Sequence, residues 1–408
     1  MPDRDDVLKA IDEKEVIQVA KELVAIRSIT HQEGMGMVEF YKKWFNDLKV
    51  PVRVYPHEND RANFFADFGT AGSGTGTPGA GGAPETAGRG KKYMFNGHQD
   101  TKPVTGMTID SFGGEIRDGK MYGRGTADMK GAIAGVLCAM KAMVRAGKEP
   151  EGLITFYSDI DEEYGAEDGW YWAKDQGFFD GYDGLICCEP TELEIQIGNR
   201  GAFATAFAAK GLSAHSGLAN LGINAVHHMV RFITEFLKLP YLQVENKYFG
   251  KSMVNFEKIE GGLYLAAVPD SCLACVDSRL IPETPPEVVD KQVNDLISRL
   301  KKENINIQEV DEPENWRAGS FRLKAESISV DDPLVKRAAS AVEYATGEKA
   351  RYGGCPAMTI VTVTIPLSIP SIILGPGSIA QAHTEDEWVE LDQLVKACRS
   401  YAALMAEM

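Results

Sequence analysis

The side chains best suited to chemistry are carboxylates and imidazoles standing where apolar runs stop. Asp161-Glu162-Glu163 closes the β-rich run from Leu153 to Ile160, and Glu189 follows Gly184-Leu185-Ile186-Cys187-Cys188. His98 and Asp100 follow Tyr93-Met94-Phe95-Asn96. Asp128 lies within Gly123-Arg124-Gly125-Thr126-Ala127-Asp128-Met129-Lys130-Gly131, and His383 within Ala382-His383-Thr384-Glu385. Imidazole and carboxylate without thiolate suit zinc, cobalt or manganese in a hydrolytic site. Two divalent metal ions sharing one carboxylate would use all of His98, Asp128, Glu163, Glu189 and His383. Asp100, two residues beyond His98, is placed to accept the free ring N–H of that histidine and so fix its tautomer. Neighbouring side chains in extended backbone point to opposite sides. Glu163 can therefore bind metal while Glu162 faces a water as general base. Singly, each piece is weak, because a Gly-His-x-Asp strand end is as often a surface turn and paired glutamates usually mark a solvated face. Asp161 receives no role on sequence grounds.

The elements that must hold these groups alternate between strand and helix. Helical spacing of Val7, Leu8, Ile11, Val16, Val19, Ala20, Leu23 and Ile26 predicts one or two amphipathic N-terminal helices over 5–27. A helix over 33–48, strands at 52–55 and 63–68, and a hairpin turn at Asp118-Gly119 follow. An Ala-rich helix occupies 131–146, and another lies near 166–176. Alternation of this kind indicates an α/β domain, whose ligands bind at one edge of the sheet. The stretch 69–90 is Gly, Ala, Thr, Ser and Pro with almost no large apolar side chain, and reads as a surface insertion.

After about Asn199 the pattern becomes β-α-β-β-α-β: strands at 203–210, 252–259, 272–281 and 305–310, helices at 224–237 and 286–301. That order is ferredoxin-like. The expected organisation is a discontinuous catalytic domain, 1–198 and 317–408, with 199–316 inserted into it. The later part resumes α/β character, with a helix at 333–345, a strand at 369–374 and a C-terminal helix from Leu391.

With 408 residues the chain exceeds one ordinary core. A net charge of -16 argues against nucleic acid, whose phosphates need basic surface. No apolar run approaches a membrane span, and the N-terminus lacks a signal-peptide core. Seven scattered cysteines fit a reduced, cytoplasmic protein. Cys272-x-x-Cys275 reads as two small core residues on a strand rather than as a zinc knuckle, and His227 with His228 as helix surface or packing.

Taken jointly, the segments carry a resemblance to a family. Gly97-His98-Gln99-Asp100, Gly123 to Gly131, Asp161-Glu162-Glu163, Cys188-Glu189-Pro190-Thr191, Gly211-Leu212-Ser213-Ala214-His215-Ser216 and Gly375-Pro376-Gly377 through His383-Thr384-Glu385-Asp386-Glu387 occur in order across nearly the whole chain. The chain resembles the dinuclear zinc metallopeptidases and deacylases that include acetylornithine deacetylase, succinyl-diaminopimelate desuccinylase and carboxypeptidase G. The resemblance implies a mixed-sheet, zinc-peptidase-like catalytic domain with an inserted lid and dimerisation domain. It implies Asp128 as the bridge between two metals, His98 and Glu189 completing one, Glu163 and His383 the other. Glu162 would move the proton from the bridging water to the leaving amine. His215 would bind the oxyanion across a homodimer, Arg279 would bind a substrate carboxylate, and Gly375 and Gly377 would contact substrate.

Two positions depart from the family pattern. Ala266, ahead of Ala267-Val268-Pro269-Asp270, stands where relatives often carry a substrate-binding asparagine. Gly353-Gly354-Cys355-Pro356-Ala357-Met358-Thr359 lacks the aspartate of a Gly-Thr-Asp-Ala segment. The expected activity is metal-dependent hydrolysis of an N-acyl amino acid or related small amide. A dipeptidase or carboxypeptidase, a hydrolase of an unusual aryl amide, and a non-catalytic ligand-binding relative are the competing readings.

Overall fold

The computed structural model describes residues 4–69, 90–311 and 320–408. Its described residues form two compact units, one within Met1–Gly198, Ile328–Gly353 and Thr359–Met408, the other within Asn199–Ser327 and Gly354–Met358. Apart from Gly69 and Gly90, the Gly/Ala/Thr-rich stretch lies outside the described residues.

The first unit is built on a mixed sheet ordered Val52–His57, Arg61–Gly69, Leu153–Ser158, Lys92–Asn96, Gly184–Cys187, Ser371–Ile373, Ile195–Asn199. The central strands Leu153–Ser158, Lys92–Asn96, Gly184–Cys187 and Ser371–Ile373 run parallel, and the flanking strands antiparallel. Parallel strands covered on both faces read as continuous apolar runs, and Leu153–Ser158 and Gly184–Cys187 are buried throughout. On one face Tyr41 and Phe45 of helix Gly36–Asp47 pack on Phe64 and Phe156, and Tyr401 of helix Leu391–Met405 packs on Phe95. On the other, Phe65 stacks on Tyr157 at 4.4 Å and meets Phe178. Helix Gly131–Arg145 lies against Leu391–Met405 and against helix Glu13–Ala25, whose N-terminus Asp12 caps by accepting from Lys14 and Glu15 N–H groups.

A three-stranded ribbon matters most for the site. Glu115–Arg117 and Lys120–Tyr122 form the hairpin over Asp118-Gly119, both at positive φ as a type I′ turn requires. Trp388–Glu390 pairs with Lys120–Tyr122, Trp388 opposite Tyr122. That register sets the segment after Tyr122 beside the segment before Trp388.

The second unit contains an antiparallel sheet ordered Met253–Gly261, Ser271–Leu280, Gly201–Lys210, Ile307–Val310. Helices Ala225–Phe236 and Pro286–Lys302 cover one face, and Phe207, Phe232, Phe236, Val276, Val293 and Leu296 belong to the shared core. Strand order and the two helices match the ferredoxin-like expectation. Phe321–Leu323 pairs with Gly201–Lys210, so the chain remains in this unit beyond 316. Cys272 and Cys275 are buried; three apart on a strand, they point to opposite faces and cannot chelate one ion. Among the described residues, no helix is long and apolar enough to cross a membrane.

Candidate metal centre

Every carboxyl end of the parallel strands delivers a site residue. Lys92–Asn96 leads to His98 and Asp100, Leu153–Ser158 to Glu162 and Glu163, Gly184–Cys187 to Glu189, and Ser371–Ile373 to the segment ending in His383. Backbone hydrogen bonds from Gly97 to Tyr157 and from Gln99 to Asp159 carry the sheet pairing past the strand ends. The site residues are thus anchored at the edge where α/β sheets bind ligands.

Asp128 is the meeting point. Its Oδ1 lies 2.9 Å from His98 Nε2, and its Oδ2 lies 3.3 Å from His383 Nε2. Glu189 Oε1 is 3.5 Å from His98 Nε2, and Glu163 Oε2 is 2.9 Å from His383 Nε2. Two groups result, His98 with Asp128 and Glu189, and Asp128 with Glu163 and His383, each offering ligand atoms within 4.8 Å of one another. The first group is buried, whereas the His383 side chain is 52% exposed.

The electrostatics describe a pocket overfilled with acid. Burial pushes the Glu189 carboxyl well above its usual range, and Asp128 adds to the effect against the pull of His98. Burial likewise raises Glu162, opposed by His98 and reinforced by Glu163 and Asp128. For Asp128, hydrogen bonds from His383 and His98 outweigh burial and hold the carboxyl well below the usual range. Hydrogen bonds to Asp128 and Glu163 raise His383 to about 9. Burial would lower His98, but Glu189, Asp100 and Asp128 raise it well above the ordinary imidazole value. Protons therefore occupy positions where cations would neutralise the same carboxylates. Oxygen and imidazole donors with one shared carboxylate fit two divalent ions.

The Asp100 partner differs from the sequence expectation. His98 Nδ1 is 3.0 Å from the Asp100 carbonyl oxygen and 3.6 Å from carboxylate Oδ1. The carbonyl is the nearer acceptor, and it fixes the ring as the carboxylate was expected to. The carboxylate itself accepts the N–H groups of Glu162 and Glu163 and the Thr30 hydroxyl. Asp161 also gains a function. It adopts φ 65°, sparsely populated without glycine, and its carboxylate pairs with His31 Nε2 at 2.7 Å and accepts the Asp168 N–H.

Glu387 is the residue that sequence reasoning missed. Fully buried, it accepts from the N–H groups of Ala127 (2.8 Å) and Asp128 (3.0 Å) through Oε1, and from Gly125 N–H (3.1 Å) and Arg124 Nη1 (2.8 Å) through Oε2. Arg124 Nη2 donates in turn to the carbonyls of Pro103 and Thr384. This pair ties together the segments bearing His98, Asp128 and His383. Its signal was present, a second glutamate in His383-Thr384-Glu385-Asp386-Glu387, but nothing local separates Glu387 from Glu385.

Gly375 approaches so closely that a Cβ would lie 2.4 Å from the Cys188 carbonyl and 2.5 Å from that of Glu189. Gly377, at φ 82°, would place one 3.1 Å from Ala127. Both glycines thus let ligand-bearing loops close on one another. His215 and Arg279 belong to the second unit. His215 is exposed, its Nδ1 accepts the Gly217 N–H, and its backbone bridges to Ala267. Ala266 beside it holds φ 61°, a conformation that suits asparagine better than alanine. Arg279 pairs with Asp277 at 2.9 Å and is 40% exposed.

Residues 94–407 match the sequence profile of Peptidase family M20/M25/M40. The chain belongs to this family. It is 24% identical over 405 residues to the succinyl-diaminopimelate desuccinylase of Dechloromonas aromatica, covering 96% of this chain and 98% of that one. The acetylornithine deacetylase of Proteus mirabilis is 25% identical over 393 residues, 92% of each chain. Among solved structures, aminopeptidase PepT from Bacillus cereus superimposes with a TM-score of 0.75 at 20% identity, covering 98% and 99% of the two chains. The YXEP protein of Bacillus subtilis, described as a dinuclear metal binding peptidase of family M20, gives 0.68 at 12% identity and 97% coverage of both. These likenesses establish the fold. As a member of M20/M25/M40, the chain is a metallohydrolase of amide or peptide bonds.

Proposed function

We propose that this M20/M25/M40 member removes the acyl group from an N-acyl amino acid, or cleaves a closely related small amide, at two divalent ions. Zinc is the first candidate, cobalt or manganese the next. One observation carries the reading: the two carboxylate oxygens of Asp128 face different histidines, each backed by its own glutamate. Relatives named for desuccinylation and deacetylation, aligned over more than nine-tenths of this chain, support the substrate class.

His98, Asp128 and Glu189 would hold one ion, and Asp128, Glu163 and His383 the other. Ions so held would polarise the amide carbonyl and stabilise charge developing on its oxygen. Glu162 accepts a proton from the attacking water and returns it to the leaving amine. Asp100 aims Glu162 and Glu163 through their backbone N–H groups and His98 through its own carbonyl. His215, with Nδ1 engaged by Gly217, keeps Nε2 for an oxyanion, and Arg279 offers its guanidinium to a substrate carboxylate. Gly375 and Gly377 border the substrate. A homodimer joined through the second unit and a cytoplasmic location complete the proposal, the latter supported by seven cysteines scattered through the sequence.

The test is a panel of N-acetyl and N-succinyl amino acids beside free dipeptides, assayed with metal-free enzyme before and after zinc reconstitution. Zinc-restored turnover of the acylated amino acids is expected. Turnover of dipeptides alone would move the assignment to a dipeptidase, and chelator-resistant turnover would overturn the metal-dependent reading.

A further inference from the structure

We infer that Lys102 is a built-in competitor for the metal position formed by Asp128, Glu163 and His383, and that it makes the two metal positions unequal. The inference rests on the two-metal reading above. Lys102 Nζ lies 3.2 Å from Glu163 Oε2, the same oxygen that faces His383 Nε2 at 2.9 Å. The ammonium also donates to the Glu163 backbone carbonyl, so it is held by both ends of that residue. Among the described residues, Glu189 and Asp128 are ion-paired to imidazole alone. An ammonium therefore stands at one position and not at the other.

Glu163 Oε2 must serve a cation at the Asp128–Glu163–His383 position while it already serves Lys102. A divalent ion and an ammonium sharing one carboxylate oxygen repel each other even where the surroundings are partly aqueous. Burial acts in the same direction. The His98 and Glu189 side chains are 1% and 9% exposed, whereas His383 is 52% exposed, so water competes more strongly for an ion at the second position. Lys102 does not seal that position. It is 31% exposed, and its flexible stem can carry the ammonium out to solvent when a divalent ion arrives. The His98–Asp128–Glu189 position thus fills first and keeps its ion. The other fills and empties with the supply of free metal.

The experiment is calorimetric titration of zinc into the metal-free full-length protein, unsubstituted and carrying Lys102→Met or Lys102→Arg. Methionine keeps the length of the stem and removes the charge; arginine keeps the charge. The unsubstituted protein should give two binding events of unequal affinity. Lys102→Met should tighten the weaker event at least tenfold and leave the tighter one within twofold, and Lys102→Arg should leave both near their original values. A weaker event that is unchanged or further weakened in Lys102→Met overturns the inference alone. A single event of one zinc per chain in all three proteins overturns the two-metal reading and this inference with it, whereas a single event of two zincs per chain overturns this inference alone.

Discussion

The carboxylate of Asp100 accepts the backbone N–H of Glu163 at 3.1 Å. Its other oxygen takes the N–H of Glu162 at 3.2 Å, so one buried side chain sets the direction in which both acids leave the sheet edge. Asp100→Asn would turn an amide N–H2 toward one of these donors. Metal affinity or turnover should fall about 10–100-fold, the usual cost of removing such a supporting partner. Zinc binding by calorimetry beside steady-state kinetics checks this, and unchanged values would remove the orienting role.

Glu387 makes a similar case across a longer span. Glu387→Gln keeps the shape but presents N–H2 either to the Gly125 N–H and Arg124 or to the Ala127 and Asp128 N–H groups. Buried donors left without acceptors cost about 1–3 kcal/mol each. The metal-free protein should melt several degrees lower, and zinc affinity should drop by about tenfold or more. A lower melting temperature with unchanged zinc affinity would make the residue merely structural.

How far the sequence carries this account differs from residue to residue. His98, Glu162, Glu163 and Glu189 are legible because each follows an apolar run long enough to be an interior strand, and parallel strands present their ends on one edge. Asp128 follows no such run, and His383 stands well beyond the end of strand Ser371–Ile373 rather than directly after it. They are legible only through their glycine-bounded contexts and the family resemblance, since the ribbon pairing Trp388 with Tyr122 links segments far apart in the chain. Strand Ile195–Asn199 escapes sequence reading because buried Gln196 and Asn199 break its apolar character. Asp100 shows the limit of spacing arguments: two residues from His98, both its carbonyl and its carboxylate are candidates, and only the path of the loop decides between them.

Glu162 connects the site to pH. Burial raises its carboxyl above the ordinary glutamate range, so it holds its proton to higher pH than a solvated acid. A base works only when deprotonated, so the activity of the zinc-loaded enzyme should rise with pH through an acid limb set by this carboxyl. Glu162→Gln should lower kcat by about 10²–10⁴-fold and abolish that limb while zinc still binds. A pH–rate profile with the limb intact in Glu162→Gln would assign the base elsewhere.

Asp159, behind the site, offers a stability test. Burial pushes its carboxyl up to about 7, and among the described residues Oδ2 has no hydrogen-bond partner while Oδ1 accepts from Asn96. The folded state binds this proton more tightly than the unfolded state does, so the stability it contributes is present below about pH 4 and is lost as pH rises toward 7. Asp159→Asn should be neutral at pH 4 and stabilising by on the order of 2–4 kcal/mol at pH 8. Denaturant melts of the metal-free protein at both values measure the difference, and a gain of equal size at both would exclude the buried-charge explanation.

The shared carboxylate is the centre of the account, and metal content measures it directly. Zinc per chain should be determined by elemental analysis after equilibrium dialysis against buffer holding excess free zinc, with the zinc of that buffer subtracted, for the unsubstituted protein and for Asp128→Ala. The account predicts about two ions per chain in the unsubstituted protein under excess zinc, and loss of both in the variant, since each group surrenders a ligand. Retention of both ions by Asp128→Ala would contradict it.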